Sequence, residues 1–224
     1  MKSNIIAFGD IHGCWEAAKA AVVIAEQREY KAIFLGDYCD RGPSSMKTIK
    51  VLSEAKENHP DWIFIRGNHD QMLLDFIEER CKPEIEWILR YGTFFYSQAK
   101  LTYEEWKLLD LKEQKEVKSF LESTLLFYET EHFIFLHSVL RDTQQSLDCK
   151  SSEELLWNYE YEPYWEAKPF VHGHLLVVEV EFTYRGININ TGCGYREGYL
   201  TGLMLEDEKI NHNYIKISPN GDVL

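Results

Sequence analysis

The sequence lacks the features that would place it in a membrane or among disulfide-stabilised proteins. Its apolar runs stay well short of the roughly 20 residues that span a bilayer, and the stretch 5–8 is too short for the core of a signal peptide. The five cysteines lie far apart and form no CxxC pair, which argues against a disulfide framework and against a zinc knuckle. We therefore expect a cytoplasmic protein.

Basic residues are scarce as well. The chain has 24 lysines and arginines against 37 aspartates and glutamates, which gives a formal net charge of −13. This charge repels polyanions at long range, so we expect neither a nucleic-acid polymer nor a membrane surface as a partner. An anionic substrate would have to be held by local groups.

The residues that are present describe one globular domain. Of 224 residues, 45% are hydrophobic and 14% are aromatic, which disfavours disorder. A chain of this length can bury roughly 70% of its unfolded surface around a single core. Because no linker rich in proline, glycine or serine divides the sequence, we predict one domain over residues 1–224.

The first third of the chain repeats a short apolar run, a glycine-bearing turn and an amphipathic helical stretch. This pattern predicts strands at 4–8, 32–35 and 62–66 and helices at 15–27, 44–58 and 71–79. Strands that alternate with helices usually pair in parallel with right-handed crossovers, which brings their carboxyl ends to one edge of a sheet. The residues that follow these strands should therefore converge on one site.

The rest of the chain predicts a helical segment followed by strands. Residues 83–126 have Pro83 at a helix start and apolar residues at helical spacing in 103–109 and 112–121. We expect this segment to pack beside the site as a cap, without a chemical role of its own. Strands are then predicted at 133–136, 170–171, 177–182, 187–190, 200–205 and 214–217, and their mostly short linkers favour antiparallel neighbours.

Short polar motifs follow the predicted strands. They are GDIHG at 9–13, GDYCDRG at 36–42 and GNHD at 67–70, with His137 and the sequence HGH at 172–174 further along the chain. Together they offer hard oxygen donors mixed with imidazole nitrogens, a set suited to Mn²⁺, Fe or Zn²⁺ rather than to a thiolate site. Two such cations can share an aspartate and stabilise both the attacking and the leaving oxygen of a phosphoryl centre.

The second motif carries most of the specificity. Its five fixed residues, GDxxDRG, arise by chance at roughly one position in a million at average residue frequencies. The three motifs occur in order, with about 22 and 24 residues between them. Coincidence is therefore very improbable.

On these motifs the chain resembles the PPP-type metallophosphoesterases of the calcineurin-like superfamily, and in particular the bacterial branch related to Ser/Thr protein phosphatases and diadenosine tetraphosphatases. Further similarity lies in WILRYGTFFYSQAK at 87–100, LLW at 155–157 and the NTGCG…LT ending at 190–201. The resemblance implies an α/β (α+β) fold, a β-sandwich of two mixed sheets flanked by helices in an αββα arrangement, with the helical cap at about 83–126.

The resemblance also implies a dinuclear metal site. Its ligands would be Asp10 and His12 for the first ion, Asp37 as the bridge, and Asn68, His137 and His174 for the second. We expect two divalent ions, Mn²⁺ foremost, with Fe, Zn²⁺ and Ni²⁺ as alternatives.

The resemblance assigns the remaining motif residues to the reaction. His69 would be the general acid that protonates the leaving oxygen, and Asp40 would orient it. Arg41 would bind the substrate phosphate together with Asn68, a task that suits the planar donor fork of a guanidinium. The reaction implied is in-line attack by a hydroxide that bridges the metals, without a phosphoenzyme, by a metal-dependent phosphoric ester hydrolase.

The chain differs from the family at a position that binds the substrate phosphate and in the loop after His137. The family's protein phosphatases have a phosphate-binding arginine two places after LLW, and this chain has Tyr159 there. Arg141 and Arg196 are two alternatives for the missing guanidinium, and the sequence does not choose between them. The family also has a glycine where this chain has Val139, so the loop after His137 is predicted to run differently.

Three functions are compatible with these residues. The leading hypothesis is hydrolysis of phosphomonoesters, phosphorylated proteins at serine and threonine among them. The alternative is a dinucleoside polyphosphate hydrolase of the diadenosine tetraphosphatase type, in which Tyr159, Tyr161, Tyr164 and Trp165 would stack on a base. A member that binds phosphate without catalysis is the third, and the complete set of motif residues disfavours it.

Single motif residues also fit simpler structural roles. The motif aspartates and the asparagine could merely cap the helices that follow, but capping does not require Arg41 or His69. His172 is expected to support a neighbouring ligand through a hydrogen bond. Cys39 is expected to be a buried packing residue rather than a sensor of oxidants, since nothing in the sequence lowers the pKa of its thiol.

Overall fold

The computed structural model describes residues 4–82, 84–140, 146–160, 168–183, 186–207 and 209–224. Five residues that the sequence singles out lie outside the described residues: Pro83, Arg141, Tyr161, Tyr164 and Trp165. Within the described residues, none of the helices has the length and apolar character needed to cross a membrane.

Strands and helices alternate at the start of the chain, a run of helices follows, and the second half consists mostly of strands. The strands are β1 (Ile5–Phe8), β2 (Lys31–Phe34), β3 (Ile63–Phe64), β4 (Phe127–Glu129), β5 (Ile134–Leu136), β6 (Phe170–His172), β7 (Glu181–Phe182), β8 (Gly186–Asn188), β9 (Leu200–Glu206) and β10 (Lys209–Ile217). The helices are α1 (Trp15–Arg28), α2 (Ser45–Asn58), α3 (Asn68–Ile77), α4 (Glu84–Tyr91), α5 (Thr93–Lys107), α6 (Leu111–Glu122) and α7 (Ser152–Trp157), and a short 3-10 helix covers Leu147–Cys149.

The first sheet has the order β10-β9-β1-β2-β3. Strands β1, β2 and β3 pair in parallel, as the sequence predicts, so the loops after them leave the same edge. Strand β9 is antiparallel to β1, and β10 is antiparallel to β9. The three N-terminal motifs therefore converge.

The second sheet has the order β4-β5-β6-β8-β7 and corrects one expectation. Short linkers favoured antiparallel neighbours throughout this part, and β4–β5 and β7–β8 do pair in that way. However, β5 pairs with β6 in parallel, and so does β6 with β8. The prediction was wrong there because the chain from β5 to β6 contains α7 and is long enough for a crossover.

The two sheets pack face to face and helices cover them. Side chains of β1 alternate between the faces, as a pleated strand requires. Ile5 and Ala7 meet residues of the second sheet in the sandwich interior, whereas Ile6 and Phe8 pack under α1, α2 and α6. A smaller apolar cluster on the far side of the second sheet includes Leu147 and Leu155. The predicted fold class is confirmed: two mixed sheets flanked by helices.

The segment predicted as helical at 83–126 consists of α4, α5 and α6, which cover most of residues 84–122. The apolar spacing at 112–121 matches nearly all of α6, whereas the spacing at 103–109 marks only the end of α5. Helix α5 packs against α3, and its Tyr96 joins Phe76 and Trp87 in an apolar cluster of aromatic rings. The segment lies beside the motif loops, and its description as a cap within one domain stays a prediction.

Candidate metal centre

Loops from both sheets bring the motif residues together at one edge of the sandwich. These loops follow β1, β2, β3, β5 and β6. Several of their residues have left-handed backbone geometry, with φ values of 45° at His12, 53° at Asp37, 69° at Asp40, 67° at Arg41 and 62° at His174. Each such residue costs of order 1–3 kcal/mol, and such strain concentrates at functional sites.

Backbone hydrogen bonds hold these strained loops against each other. The amides of Ile11 and His12 both donate to the carbonyl of Asp37, at 3.1 and 2.8 Å, and the amide of Gly42 donates to the carbonyl of His12 at 2.8 Å. The first two motif loops are thus one unit. Gly42 is required there, because a Cβ atom would lie 2.1 Å from the carbonyl oxygen of His12.

Asp37 lies at the middle of the candidate centre. One carboxylate oxygen is 3.5 Å from Nε2 of His12, and the other is 3.4 Å from Nε2 of His137. The ligand atoms of Asp10, Asp37 and His137 lie within 4.8 Å of one another, and so do those of His12, Asp37 and His69. Asp37 belongs to both groups, as a carboxylate shared by two cations would.

The carboxylate of Asp10 points toward the same space as that of Asp37. Its Oδ1 accepts a hydrogen bond from the amide of His174 at 3.2 Å, whereas its buried Oδ2 has no hydrogen-bond partner among the described residues. Gly173 makes this approach possible, because a Cβ atom there would lie 2.0 Å from Oδ1 of Asp10. A buried carboxylate oxygen without a donor is costly unless a cation satisfies it.

Asn68 faces two imidazoles. Its Oδ1 is 2.9 Å from Nε2 of His137 and 3.1 Å from Nδ1 of His174. Nδ1 of His137 lies 2.9 Å from the carbonyl oxygen of Leu35 and must donate to it, so Nε2 presents a lone pair to Asn68. Two acceptors that face each other are what a shared cation satisfies, and Nε2 of His174 is likewise buried with no hydrogen-bond partner in the part of the chain that the structure describes.

The electrostatics of the carboxylates also fit cations. Burial raises the pKa of Asp10 well above its usual range, and the charge of Asp37 raises it further. Burial raises the pKa of Asp37 too, but the nearby imidazoles, that of His137 foremost, and the Arg41 guanidinium outweigh it and leave the pKa below the usual value. Positive charge at this point would relieve the repulsion between the two carboxylates.

The imidazoles are ready to act as ligands. Burial lowers the pKa of His137 below its usual value, lowers that of His12 well below it with a further contribution from Arg41, and lowers that of His174 to about 3. Neutral imidazoles keep a lone pair for a metal ion at neutral pH. His12 directs Nε2 inward, because its Nδ1 donates to the carbonyl of Cys39 at 2.9 Å. The donor set therefore fits a pair of divalent cations.

His69 and Arg41 lie beside the candidate ligands. Nδ1 of His69 is 2.5 Å from a carboxylate oxygen of Asp40, and both side chains are buried. The guanidinium of Arg41 lies between two rings, with Nη1 against Nε2 of His12 and Nη2 at 3.0 Å from Nε2 of His69. The Nε2 atom of His69 thus faces the same space as the candidate ligands, where an incoming phosphate would meet Arg41.

Two supporting residues were missed by the sequence analysis. Asp70 accepts hydrogen bonds from the amides of Asp37, Tyr38 and Gly67, at 2.8, 2.9 and 2.8 Å, which ties the second motif to the third. Burial and the charge of Asp37 raise its pKa to about 7. Its place directly after His69 in the third motif was the available signal.

Thr102 of α5 is the other missed residue. Its hydroxyl makes a very short hydrogen bond to the second carboxylate oxygen of Asp40. No sequence pattern indicated this contact, because a lone threonine in an amphipathic helix has no distinguishing pattern. The helical segment thus contacts the Asp40–His69 pair through Thr102.

Aromatic side chains surround the centre. The ring of Tyr159 lies 4.6 Å from that of His174, and the ring of Phe95 lies 5.5 Å from that of His69. The guanidinium carbon of Arg41 lies 4.9 Å from the ring centroid of Tyr195. Arg41 and Arg196 line one hollow of about 520 Å³, and in the described part of the chain its charged residues are both cationic.

The structure also describes three residues for which the sequence predicts a supporting or packing role or a changed loop: His172, Cys39 and Val139. Nδ1 of His172 lies 2.9 Å from the carbonyl oxygen of Gly173, and burial lowers the pKa of this histidine to about 4. Cys39 is fully buried and its thiol pKa is raised well above the usual value, by burial first and then by Asp70, which favours packing over oxidant sensing. Val139 is buried in an apolar cluster and lacks a left-handed backbone, so the loop after His137 needs no glycine.

Known proteins resemble this chain, one over most of its length and another over a shorter part. Asymmetrical bis(5'-nucleosyl)-tetraphosphatase PrpE of Bacillus mycoides (strain KBAB4) is 23% identical over 239 residues, which cover 91% of this chain and 90% of the relative. Serine/threonine-protein phosphatase PP2A-like PPG1 of Candida albicans is 38% identical over 72 residues, which cover 31% of this chain and 17% of the relative.

A solved structure and a family profile agree with the fold and the motifs. The crystal structure of a candidate diadenosine tetraphosphatase has a TM-score of 0.66 at 18% identity and covers 96% of this chain and 93% of its own, so the fold is shared. The model of the calcineurin-like phosphoesterase family matches residues 3–200. The protein therefore belongs to the calcineurin-like phosphoesterase family and is a phosphoric ester hydrolase.

Proposed function

We propose that this enzyme hydrolyses phosphomonoesters, including phosphoserine and phosphothreonine in proteins, with two divalent cations and without a phosphoenzyme. One observation carries the proposal: six candidate ligands and the three residues His69, Asp40 and Arg41 surround one space at the sheet edge. The candidate ligands are Asp10, His12, Asp37, Asn68, His137 and His174. Mn²⁺ is the first candidate for both positions, because a mixed oxygen and nitrogen set suits it.

The bound cations would neutralise phosphate charge and supply a nucleophile from water at neutral pH. The chain's own residues would position the ester. Arg41 can donate two parallel hydrogen bonds to phosphate oxygens, and its present contacts with His12 and His69 aim it at the centre. The amide of Asn68 would add a donor on the opposite side, where its oxygen faces His137.

His69 would donate the proton that the leaving oxygen needs. The hydrogen bond from Nδ1 to Asp40 fixes the ring and leaves Nε2 toward the centre, the orientation that a proton donor requires. No serine or cysteine nucleophile takes part.

The test uses the purified protein and p-nitrophenyl phosphate. We expect turnover with Mn²⁺ that is lost on chelation, and a decrease of roughly 10²–10⁴-fold in His69→Asn, the range of general acid catalysis. His132→Asn, a change at an exposed histidine, is the matched control and should behave like the unmodified protein. Absence of metal-dependent turnover, or full activity of His69→Asn, would refute the proposal.

A second candidate is hydrolysis of dinucleoside polyphosphates, which the surroundings of the centre favour. Rings of Tyr159, Tyr195 and Phe95 each lie next to a residue of the centre and can stack on a base. Arg196 shares a hollow with Arg41, which would suit a longer phosphate chain. PrpE, a tetraphosphatase by name, is similar over 91% of this chain.

A substrate panel separates the two candidates. It compares p-nitrophenyl phosphate, phosphopeptides and diadenosine tetraphosphate, with Mn²⁺ and after chelation. Mononucleotide products formed from diadenosine tetraphosphate, with a kcat/KM far above that for the monoesters, would favour the second candidate. Faster turnover of phosphopeptides would favour the first.

A further inference from the structure

The carboxylate of Asp40 is held on both sides. One oxygen binds Nδ1 of His69, and the other accepts the very short hydrogen bond from the hydroxyl of Thr102. Asp40 and Thr102 are 3% and 5% exposed, so water does not compete for these bonds. The orientation of His69 thus depends on a carboxylate whose own orientation depends on a helix of the cap segment.

Ser45 connects the same hydroxyl to the backbone of Asp40. The amide of Asp40 donates to Oγ of Ser45 at 2.9 Å, and that Oγ lies 3.4 Å from Oγ1 of Thr102. Since Thr102 gives its proton to the carboxylate, it can only accept from Ser45. This arrangement holds Asp40 in its left-handed backbone conformation and directs its side chain at His69.

Glu105 anchors the helix that carries Thr102. It lies three residues further along α5 and binds the start of α2 through Oγ of Ser44 at 2.5 Å and the amides of Ser45 and Met46 at 3.2 and 3.3 Å. A carboxylate at the first turn of a helix satisfies its free amides and favours its dipole. Helix α5 is therefore fixed to the loop of the second motif at the level of Thr102.

A purely structural role for Thr102 fits these contacts less well. A buried threonine inside a helix ordinarily bonds a carbonyl of its own preceding turn. Here the hydroxyl reaches a carboxylate 62 residues away in sequence. Phe95 of the same helix lies 5.5 Å from the ring of His69, so α5 contacts the pair through two side chains.

We propose that Thr102 is a positioning residue for the Asp40–His69 pair, so that helix α5 sets the orientation of the proton donor. The inference rests on the proposed function, because it concerns the step in which the leaving oxygen is protonated. Thr102 does not contact the substrate, so its loss should lower kcat and leave KM nearly unchanged.

The experiment compares two aryl phosphates whose leaving groups differ in acidity. A good leaving group departs without a proton, whereas a poor one needs the general acid. In Thr102→Val we expect kcat for phenyl phosphate to fall about tenfold, as the loss of one hydrogen bond to a charged group allows. The fall for 2,4-dinitrophenyl phosphate should be at most about twofold. Thr102→Ser, which keeps the hydroxyl, should restore turnover of phenyl phosphate.

Two controls make the result specific. Thr93→Val removes an exposed threonine from the same helix and should change neither ester. Thr102→Val in the His69→Asn background should cost no further activity, since residues that act through one another are not additive. Thermal unfolding of each variant identifies a loss that comes from misfolding.

The outcomes separate the inference from the proposed function. Equal losses for both esters in Thr102→Val, no loss at all, or failure of Thr102→Ser to restore turnover would each overturn the role of Thr102 while leaving the proposed function in place. Lack of metal-dependent turnover of either ester by the unmodified protein would overturn both.

Discussion

The reaction centre and its rim are built by different physical rules. The reaction centre consists of the six candidate ligands with Asp40, Arg41 and His69, and its carboxylates and imidazoles are mostly buried; Asp37, for example, is 2% exposed. The rim consists of Tyr159, Tyr195 and Arg196, and its two tyrosines are 54% and 41% exposed. Buried polar groups must satisfy one another, so the centre tolerates little change, whereas side chains in water carry no such constraint.

We infer from this difference that the centre carries out the reaction and that the rim affects the choice of substrate. The centre contains every residue that the proposed chemistry needs, and the rim contains Tyr159, which stands where the protein phosphatases of the family have an arginine. We therefore expect substitutions in the centre to affect all substrates alike, and substitutions in the rim to change the ratio between substrates. Four predictions test this division, in order of decreasing effect.

Asp37→Asn should abolish hydrolysis of every substrate. The residue lies 3.5 Å from His12 and 3.4 Å from His137, so an amide there would weaken both metal positions at once. We expect activity to fall at least about 1000-fold, more than the 10–100-fold that is typical for groups that only support a ligand. Metal content and kcat are measured with Asp61→Asn, an exposed aspartate, as the control. Retention of two metals per chain would contradict the shared position of Asp37.

Gly173→Ala should lower activity by roughly 10–100-fold through Asp10. A Cβ atom at this position would lie 2.0 Å from Oδ1 of Asp10 and displace that carboxylate. The metal concentration for half-maximal activity is the measurement. Gly92→Ala, where no atom lies within 4 Å of the added carbon, is the control, although its φ of +89° makes some loss of stability expected. Unchanged metal dependence in Gly173→Ala would show that Asp10 is no ligand.

Arg196→Ala should act on one class of substrate. If the hollow shared with Arg41 receives the remote phosphates, kcat/KM for diadenosine tetraphosphate should fall about tenfold, the lower end for hydrogen bonds to a charged group. The kcat/KM for p-nitrophenyl phosphate should change less than about twofold. Arg28→Ala, at the C-terminal end of helix α1, is the control. Equal losses on both substrates would mean that Arg196 contributes to the reaction itself. That result would contradict the division between centre and rim.

Tyr159→Arg should have the smallest effect, and it should be a gain. The ring lies 4.6 Å from that of His174, so a guanidinium on a longer side chain at this position can reach a phosphate at the centre. We expect kcat/KM for phosphopeptides to rise by about three- to tenfold, as one charge-assisted hydrogen bond in a solvated position allows. Tyr159→Leu removes the ring without adding a charge. Absence of a gain would refute the account of Tyr159 as a lost phosphate clamp.

The centre was more predictable than the contacts that support it. The polar motifs follow strands, and strands that alternate with helices run in parallel, so local patterns and one connection rule bring residues of the first three motifs together. The pairing of β5 with β6 was wrong from the sequence, because it depends on a crossover through α7 that the strand pattern did not reveal. His137 and His174 were expected through the resemblance, and their contacts with Asn68 became visible only in three dimensions.

The functional groups are visible in the sequence alone: carboxylates, imidazoles and one guanidinium at strand ends, at a spacing that chance does not produce. Which of these groups hydrogen-bond to each other, and which acceptors face each other, depends on how the elements pack. Thr102 reaches Asp40 across 62 residues of sequence, and Arg196 joins Arg41 in one hollow. Such partners carry no local signal, because a hydrogen bond across the fold depends on where two elements pack and not on what lies beside either residue in the chain.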